Sequence, residues 1–316
     1  MHPAYSVILF TAASGAGYGL LIWLAAAAAL NLVPRDPVLG FFSLGVAIAL
    51  VTIGLLSSTL HLGRPTRAWR AMSQWRSSWL SREGVAAIVT YVPIAVFGLG
   101  WMFSEWAPGQ IVVGAALSVP CALVTVWCTG MIYASLPTIR AWNQSLVAPV
   151  YVMLALATGG VLMNLLLAVF GYELHWAAIG TLLALVFGAI LKRLYWAAID
   201  TAAKTYTAES ATGLGRFGTV RPLDPPHTQP NFVMREMGYQ VARRHAERLR
   251  RLSMALLFLL PIVAGLLLLL NLPNSIQIAI AALSALSAVG GVLTERWLFF
   301  AEAEHVVMVF YRGGNA

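Results

Sequence analysis

Apolar residues run along this chain in long blocks, not in the short alternations of a half-solvated sheet. Eight blocks stand out, at roughly 7–32, 38–62, 84–103, 111–134, 148–170, 175–199, 253–271 and 276–300. About 20 apolar residues carry a helix across a bilayer, and each block reaches or approaches that length. A helix also satisfies its own backbone in lipid. The expected fold is therefore all-α: a polytopic membrane protein with eight transmembrane helices in a bundle, one domain over 1–316. The first block lacks a basic stretch before Tyr5 and exceeds a signal-peptide core in length, so it is read as the first span of the mature protein. No repeat of 20–50 residues is visible, which argues against a solenoid.

Composition agrees. Of 316 residues, 59% are hydrophobic and 10% charged, against about 25% charged in soluble domains. A soluble enzyme is excluded. The net charge of +8 would suit nucleic acid, but its placement argues otherwise. Eight spans put both termini on one side, together with the connections after the second, fourth and sixth spans. Every Lys and Arg except Arg35 falls on that side; Asp36, Glu105 and Glu173 accompany Arg35 on the other. Such a bias marks the cytoplasmic side. The expectation is a bacterial inner-membrane protein with cytoplasmic termini, lipid as its surroundings and no nucleic-acid partner.

The largest connection, 200–252, begins rich in Gly and Pro and ends in a basic helical stretch, VMREMGYQVARRHAERLRR. That stretch reads as an amphipathic interfacial helix beside anionic headgroups, as a docking platform for a cytoplasmic partner, or as both. Gly213, Gly215 and Gly218 spell G-x-G-x-x-G, but no strand precedes them, so turns explain the glycines better than a dinucleotide does.

Candidate chemistry is sparse. Cys121 and Cys128 lie seven apart on one face of the fourth span and read as packing residues; a bound iron–sulfur cluster takes four cysteines. Of six histidines only His61 and His175 adjoin spans, on opposite sides, so no bis-histidine haem is expected. The richest segment is 57–84, SSTLHLGRPTRAWRAMSQWRSSWLSREG. Ser57 and His61 are four apart, Gly63 and Pro65 read as a helix stop, and Ser81 reads as the cap of the third span with Glu83 in its first turn. Helix-dipole pairing explains His61 and Glu83, capping explains Ser81, and Trp69, Trp75 and Trp79 with Arg67, Arg70 and Arg76 suit an interfacial belt. A His and a carboxylate at one membrane boundary also suit a quinone head group, the His bonding a carbonyl and the acid moving protons.

The segment LHLGRPTRAW, followed by WLSRE, resembles the membrane-anchor subunits of the dimethyl sulfoxide reductase family (DmsC-like), within the wider NrfD-like group of quinone-reactive anchors. The stretch GRFGTVRPLDPPHTQPNFVMREMGYQVARRHA resembles the branch with an extended loop after the sixth helix, which includes anchors of cytoplasmic sulfite-oxidising molybdoenzymes (SoeC-like). The resemblance implies a complex in which a molybdopterin catalytic subunit feeds a four-cluster ferredoxin-like iron–sulfur subunit on the cytoplasmic face. The anchor then exchanges electrons with ubiquinone or menaquinone, with neither haem nor iron–sulfur cluster of its own. It carries the quinone site of an oxidoreductase complex and no molybdenum chemistry. Family quinone-site residues carry over to His61 and Glu83; Ser57, Arg64 and Arg67 are added as expected spatial neighbours. Electrons from sulfite oxidation passing to quinone is the implied direction, and flow from menaquinol to a dimethyl sulfoxide-type acceptor would use the same anchor. A structural tether and a secondary transporter remain as rivals, although a transporter tends to hold ionisable residues near mid-bilayer and the charges here are read at the cytoplasmic boundary.

Overall fold

The computed structural model describes residues 3–103, 108–202, 206–221, 223–224, 229, 231–237 and 241–311, with backbone alone at 61, 108, 232, 233, 235, 241–244 and 310. Eight helical segments in it are long and apolar enough to cross a bilayer, and the all-α polytopic reading holds. The first six are α1 (Tyr5–Ala29), α2 (Pro37–Ser57), α3 (Trp79–Met102), α4 (Pro108–Ala134), α5 (Val147–Phe170) and α6 (His175–Thr201). Two short helices follow, α7 (Ala208–Thr212) and α8 (Phe232–Met237). The seventh span is built from α9 (Val241–Met254), a π turn (Ala255–Leu259) and α10 (Leu260–Leu268); α11 (Asn274–Ala301) is the eighth.

α1 runs through the middle of the bundle because its small residues admit close neighbours. A Cβ on Gly159 of α5 would stand 2.1 Å from the Gly19 carbonyl carbon, and one on Gly19 would stand 1.8 Å from the Ala155 carbonyl oxygen. Only hydrogen fits between these backbones, as is common where spans pack without a hydrophobic drive between them.

At the end where Arg35 lies, one aspartate fastens three elements. Asp36 caps α2 by accepting from the Val38 and Leu39 N–H groups at 2.9 and 3.2 Å, with Pro37 at the first helical position. Its carboxylate also accepts from the Tyr172 hydroxyl at 2.9 Å, and its carbonyl accepts from Trp101 Nε1 at 2.9 Å. The Val38 N–H is the main reason the Asp36 carboxyl is held below the usual carboxylate range.

The seventh span bends its hydrogen-bonding pattern for a clear reason. Pro261 has no N–H and crowds the carbonyl one turn earlier, and the π turn stands directly before it. The Ser287 hydroxyl donates to the Leu256 carbonyl at 2.7 Å and so satisfies a group inside that turn.

Three boundaries differ from the sequence expectation. α3 starts at Trp79 and is capped by Ser78, whose extended backbone ends the preceding loop. Ser81 is not the cap: it lies inside the first turn, where its hydroxyl donates to the Ala71 carbonyl, and Glu83 falls in the second turn. α2 stops at Ser57 and passes into a 3-10 turn (Ser58–His61) ahead of Gly63, while Pro65 opens a 3-10 helix (Pro65–Gln74) instead of closing one. The basic helix enters the seventh span without a break, so that helix begins well before the apolar block at 253. The glycines of GLGRFG do form turns: Gly213 (φ 68°) ends α7, and Gly218 (φ 130°) follows a 3-10 turn.

Candidate functional site

The connection between α2 and α3 folds back over the bundle. With the first turns of α1 and α3 and the last turn of α4 it encloses a cavity of about 710 Å³. The 3-10 helix Pro65–Gln74 supplies Trp69 and Met72, α1 supplies Phe10, and Tyr133, Trp142 and Phe300 form the back. Its size lies in the range of small-molecule sites, which are mostly apolar with few polar groups. Glu83 is the one carboxylate on its wall among the described residues.

Glu83 is 4% exposed, and among the described residues no cation lies within ion-pair distance of it. Its Oε1 contacts the Thr129 hydroxyl, which is also 3.1 Å from the Thr125 carbonyl. A hydroxyl has one proton and two lone pairs. Both contacts are satisfied together when Glu83 is the neutral acid, donating to Thr129 while Thr129 donates to Thr125. When Glu83 is ionised, Thr129 turns its proton toward the carboxylate.

The remaining predicted residues divide. The Ser57 hydroxyl is buried and lies 2.6 Å from the Gly54 carbonyl and 3.1 Å from the Ser6 carbonyl; it ties α2 to the start of α1, and its neighbours Ser58 and Thr59 reach the cavity wall instead. Arg64 and Arg67 are exposed on the surface and off that wall. His61 closes the 3-10 turn between Thr59 and Leu62, which line the cavity, and its own side chain lies outside the described residues. Sequence reasoning did not find Thr129, Tyr133, Trp142 or Phe300, which come from distant segments and carry no local signal. Trp69 and Trp75 are exposed, each beside an arginine: Arg70 is 5.4 Å from the Trp69 ring centre and Arg76 5.6 Å from that of Trp75. Cys121 and Cys128 line one groove of α4, as their spacing required.

A second cluster corrects the view that all charge lies at the boundary. Lys192 of α6 and Glu295 and Arg296 of α11 are 1%, 0% and 2% exposed, and Glu295 pairs with both cations. By sequence position Lys192 and Arg296 fall among the surface charges, but α6 and α11 continue to Thr201 and Ala301, which places both residues more than a turn inside the bundle. Aromatic faces share the task of solvating them: Lys192 Nζ lies 4.2 Å from the Tyr195 ring centre, and the Arg296 guanidinium 4.0 Å from that of Tyr151. Adjacent opposite charges inside an apolar run, Glu295–Arg296, were the available signal. Nearer the surface, Arg250 of α9 bridges Asp200 at 2.6 Å and Glu302 at 2.9 Å, clasping the ends of α6 and α11. Burial pushes the Glu302 carboxyl above its ordinary value. Among the described residues no three His, Cys, Asp or Glu converge as metal ligands.

Known proteins agree with this architecture. The family model described as "DMSO reductase anchor subunit (DmsC)" matches residues 1–302. The C subunit of the Allochromatium vinosum sulfite dehydrogenase is 33% identical over an alignment of 333 residues that covers 99% of each protein. The C component of the anaerobic dimethyl sulfoxide reductase of Escherichia coli is 30% identical over 128 residues, 39% of this protein and 43% of that one. An eight-span helical bundle matched along nearly its whole length by this family is an integral membrane protein, and the chain belongs to the DMSO reductase anchor subunit (DmsC) family.

Proposed function

We propose that this chain is the quinone-reactive anchor of a molybdopterin and iron–sulfur oxidoreductase complex, passing electrons from sulfite oxidation to ubiquinone or menaquinone. The observation that carries the reading is the cavity of about 710 Å³ with apolar walls and a single buried carboxylate, Glu83. Its rim includes Leu62, Trp69 and Ile88, exposed apolar residues that would meet lipid and let a tail-bearing quinone approach sideways. Full-length similarity to a sulfite dehydrogenase subunit supports sulfite as the partner enzyme's substrate.

The bound quinone would supply a two-electron acceptor. The protein's part is to hold the head group and deliver protons. An isolated buried carboxylate is costly as an anion, so Glu83 suits the task of keeping a proton and releasing it only to a ring oxygen. His61, between Thr59 and Leu62 of the same cavity's wall, would hold the other carbonyl. The basic connections after α2, α4 and α6 support a cytoplasmic orientation. A four-cluster ferredoxin-like subunit, itself fed by the molybdopterin subunit, would then dock near the cavity, with α8 and α9 as part of the platform. Electrons and protons would arrive from one side, so the step would move little charge across the membrane.

The test is made on the purified complex. Glu83→Gln and His61→Ala should each lower quinone-coupled turnover by roughly 10²-fold or more, the scale of a lost acid–base group, while reduction of an artificial dye by the same complex is unchanged. Full quinone turnover in both variants would reduce the anchor to a tether.

A further inference from the structure

Lys192, Glu295 and Arg296, none more than 2% exposed, carry two positive charges and one negative. Lys192 is also acted on by Glu302, which Arg250 holds, whereas Glu295 is the acid acting on Arg296. Incompletely compensated charge in such a place is expensive. Arg296 uses Nε on Glu295, while Nη2 has no hydrogen-bond partner among the described residues. That side chain lies on the wall of a second, internal cavity, with space for water centres of about 10 Å³, room for about one water. Tyr151, whose hydroxyl meets no hydrogen-bond partner of good geometry among the described residues, lines the same space beside Arg296. So does Thr129, the residue whose hydroxyl contacts Glu83. One small cavity therefore lies between the cation and Thr129, the residue that contacts the acid of the larger cavity.

The other titratable groups around Glu83 do not offer such a charge. They are Tyr18 on α1, Arg82 and Tyr91 on α3, Cys128 and Tyr133 on α4, and Tyr151 on α5. Arg82 is turned away, donating to the carbonyls of Trp75 and Arg76 at 3.0 and 2.7 Å.

We infer that Arg296 is a positioning residue for Glu83: through the small cavity it shares with Thr129, the contact of Glu83, its incompletely neutralised guanidinium compensates the negative charge that Glu83 acquires when it gives up its proton. This rests on the reading of Glu83 as proton donor to quinone. Two electrons come from the iron–sulfur partner, and the two ring oxygens take one proton from Glu83 and one from water. For the first the Glu83 O–H bond breaks, a ring O–H bond forms, and the carboxylate remains. Thr129 then turns its hydroxyl from the Thr125 carbonyl to that carboxylate. Arg296 keeps all its protons throughout; it acts by charge and by fixing the pocket's polar contents.

The experiment compares four variants in the intact complex. Arg296→Gln leaves a neutral Lys192–Glu295 pair, and Lys192→Met leaves a neutral Arg296–Glu295 pair, so each removes one charge without stranding another. Arg296→Gln should lower kcat for quinone reduction about tenfold, equivalent to about 1.4 kcal/mol, with KM for quinone and dye reduction unchanged and the pH profile of turnover displaced. Arg296→Lys should recover most of that loss. Lys192→Met, which hands all of Glu295 to Arg296, should also lower kcat by several-fold, and Thr129→Val should match Arg296→Gln. Equal kcat for the Gln and Lys variants at Arg296, or a Lys192→Met kcat equal to the parent's, would overturn the inference. If Arg296→Gln does not assemble, full kcat in Thr129→Val overturns it. An active Glu83→Gln enzyme sinks the underlying quinone reading; an inactive one beside a fully active Arg296→Gln enzyme sinks only this inference.

Discussion

Glu83 and Glu295 are both sealed inside the bundle, 4% and 0% exposed, yet the protein surrounds them in opposite ways. Glu295 sits between Lys192 and Arg296 and is held as one part of an ionic cluster. Glu83 meets a threonine hydroxyl and the wall of a large apolar cavity. The first environment fixes a charge in place; the second, on the proposed reading, leaves a proton free to move. Burial alone therefore says little about the role of an acid in a membrane bundle. What decides is whether a counter-charge arrives from the neighbouring helix or a space arrives in its stead.

The comparison can be broken by removing each carboxyl in turn. The largest effect is expected at Glu295. Glu295→Ala would leave Lys192 and Arg296 buried together without an anion, a change worth about 3–5 kcal/mol, seen as a sharp fall in thermal midpoint or in the yield of monodisperse protein in detergent. A third, half-buried carboxylate calibrates the scale. Asp36→Ala should cost about 1 kcal/mol, the usual value of a lost helix cap, since solvent screens what remains of its charge. Because the Asp36 carboxyl is held below its ordinary range in the folded protein, its contribution is complete above that range and is lost as pH falls through the folded value. The midpoint gap between parent and Asp36→Ala should accordingly close on acidification below the ordinary carboxylate range. The smallest effect on stability is expected at Glu83, where Gln keeps a partner for Thr129. A thermal midpoint equal to the parent's within about 0.5 kcal/mol, together with lost quinone turnover, would separate a working acid from a structural one. A destabilised Glu83→Gln protein would erase the contrast.

Much of the fold was legible because lipid makes simple demands. Eight apolar blocks of spanning length became eight spans, and the ends of most were read to within a few residues. The differences fall where short-range chemistry competes. Three serines precede the third span or open it, at 77, 78 and 81, and the choice of Ser78 as cap depends on Trp79 and Leu80 joining the helix, which no local rule fixes. Glu83 was legible as a candidate because it is an acid standing at a boundary, and the structure places it on the cavity wall. Thr129 and the aromatic back wall were not, because α4 and α11 reach the cavity only after the bundle closes. The ionic cluster was masked by its position in the sequence: Lys192 and Arg296 lie so near the ends of their apolar blocks that they fit the boundary bias, and Glu295 beside them then has no visible task.

The π turn in the seventh span carries one surplus residue between two helices of different character. On one side is the arginine-bearing stretch that holds Arg250 against Asp200 and Glu302; on the other is an apolar rod. Each residue in a helix adds roughly 100° of rotation, so deleting a single position within Ala255–Leu259 would swing the arginines that far around the axis while the rod stayed seated. The azimuth at which this subunit presents its basic ridge is thus set by one inserted amino acid, a dial that a lineage could turn without rebuilding the bundle.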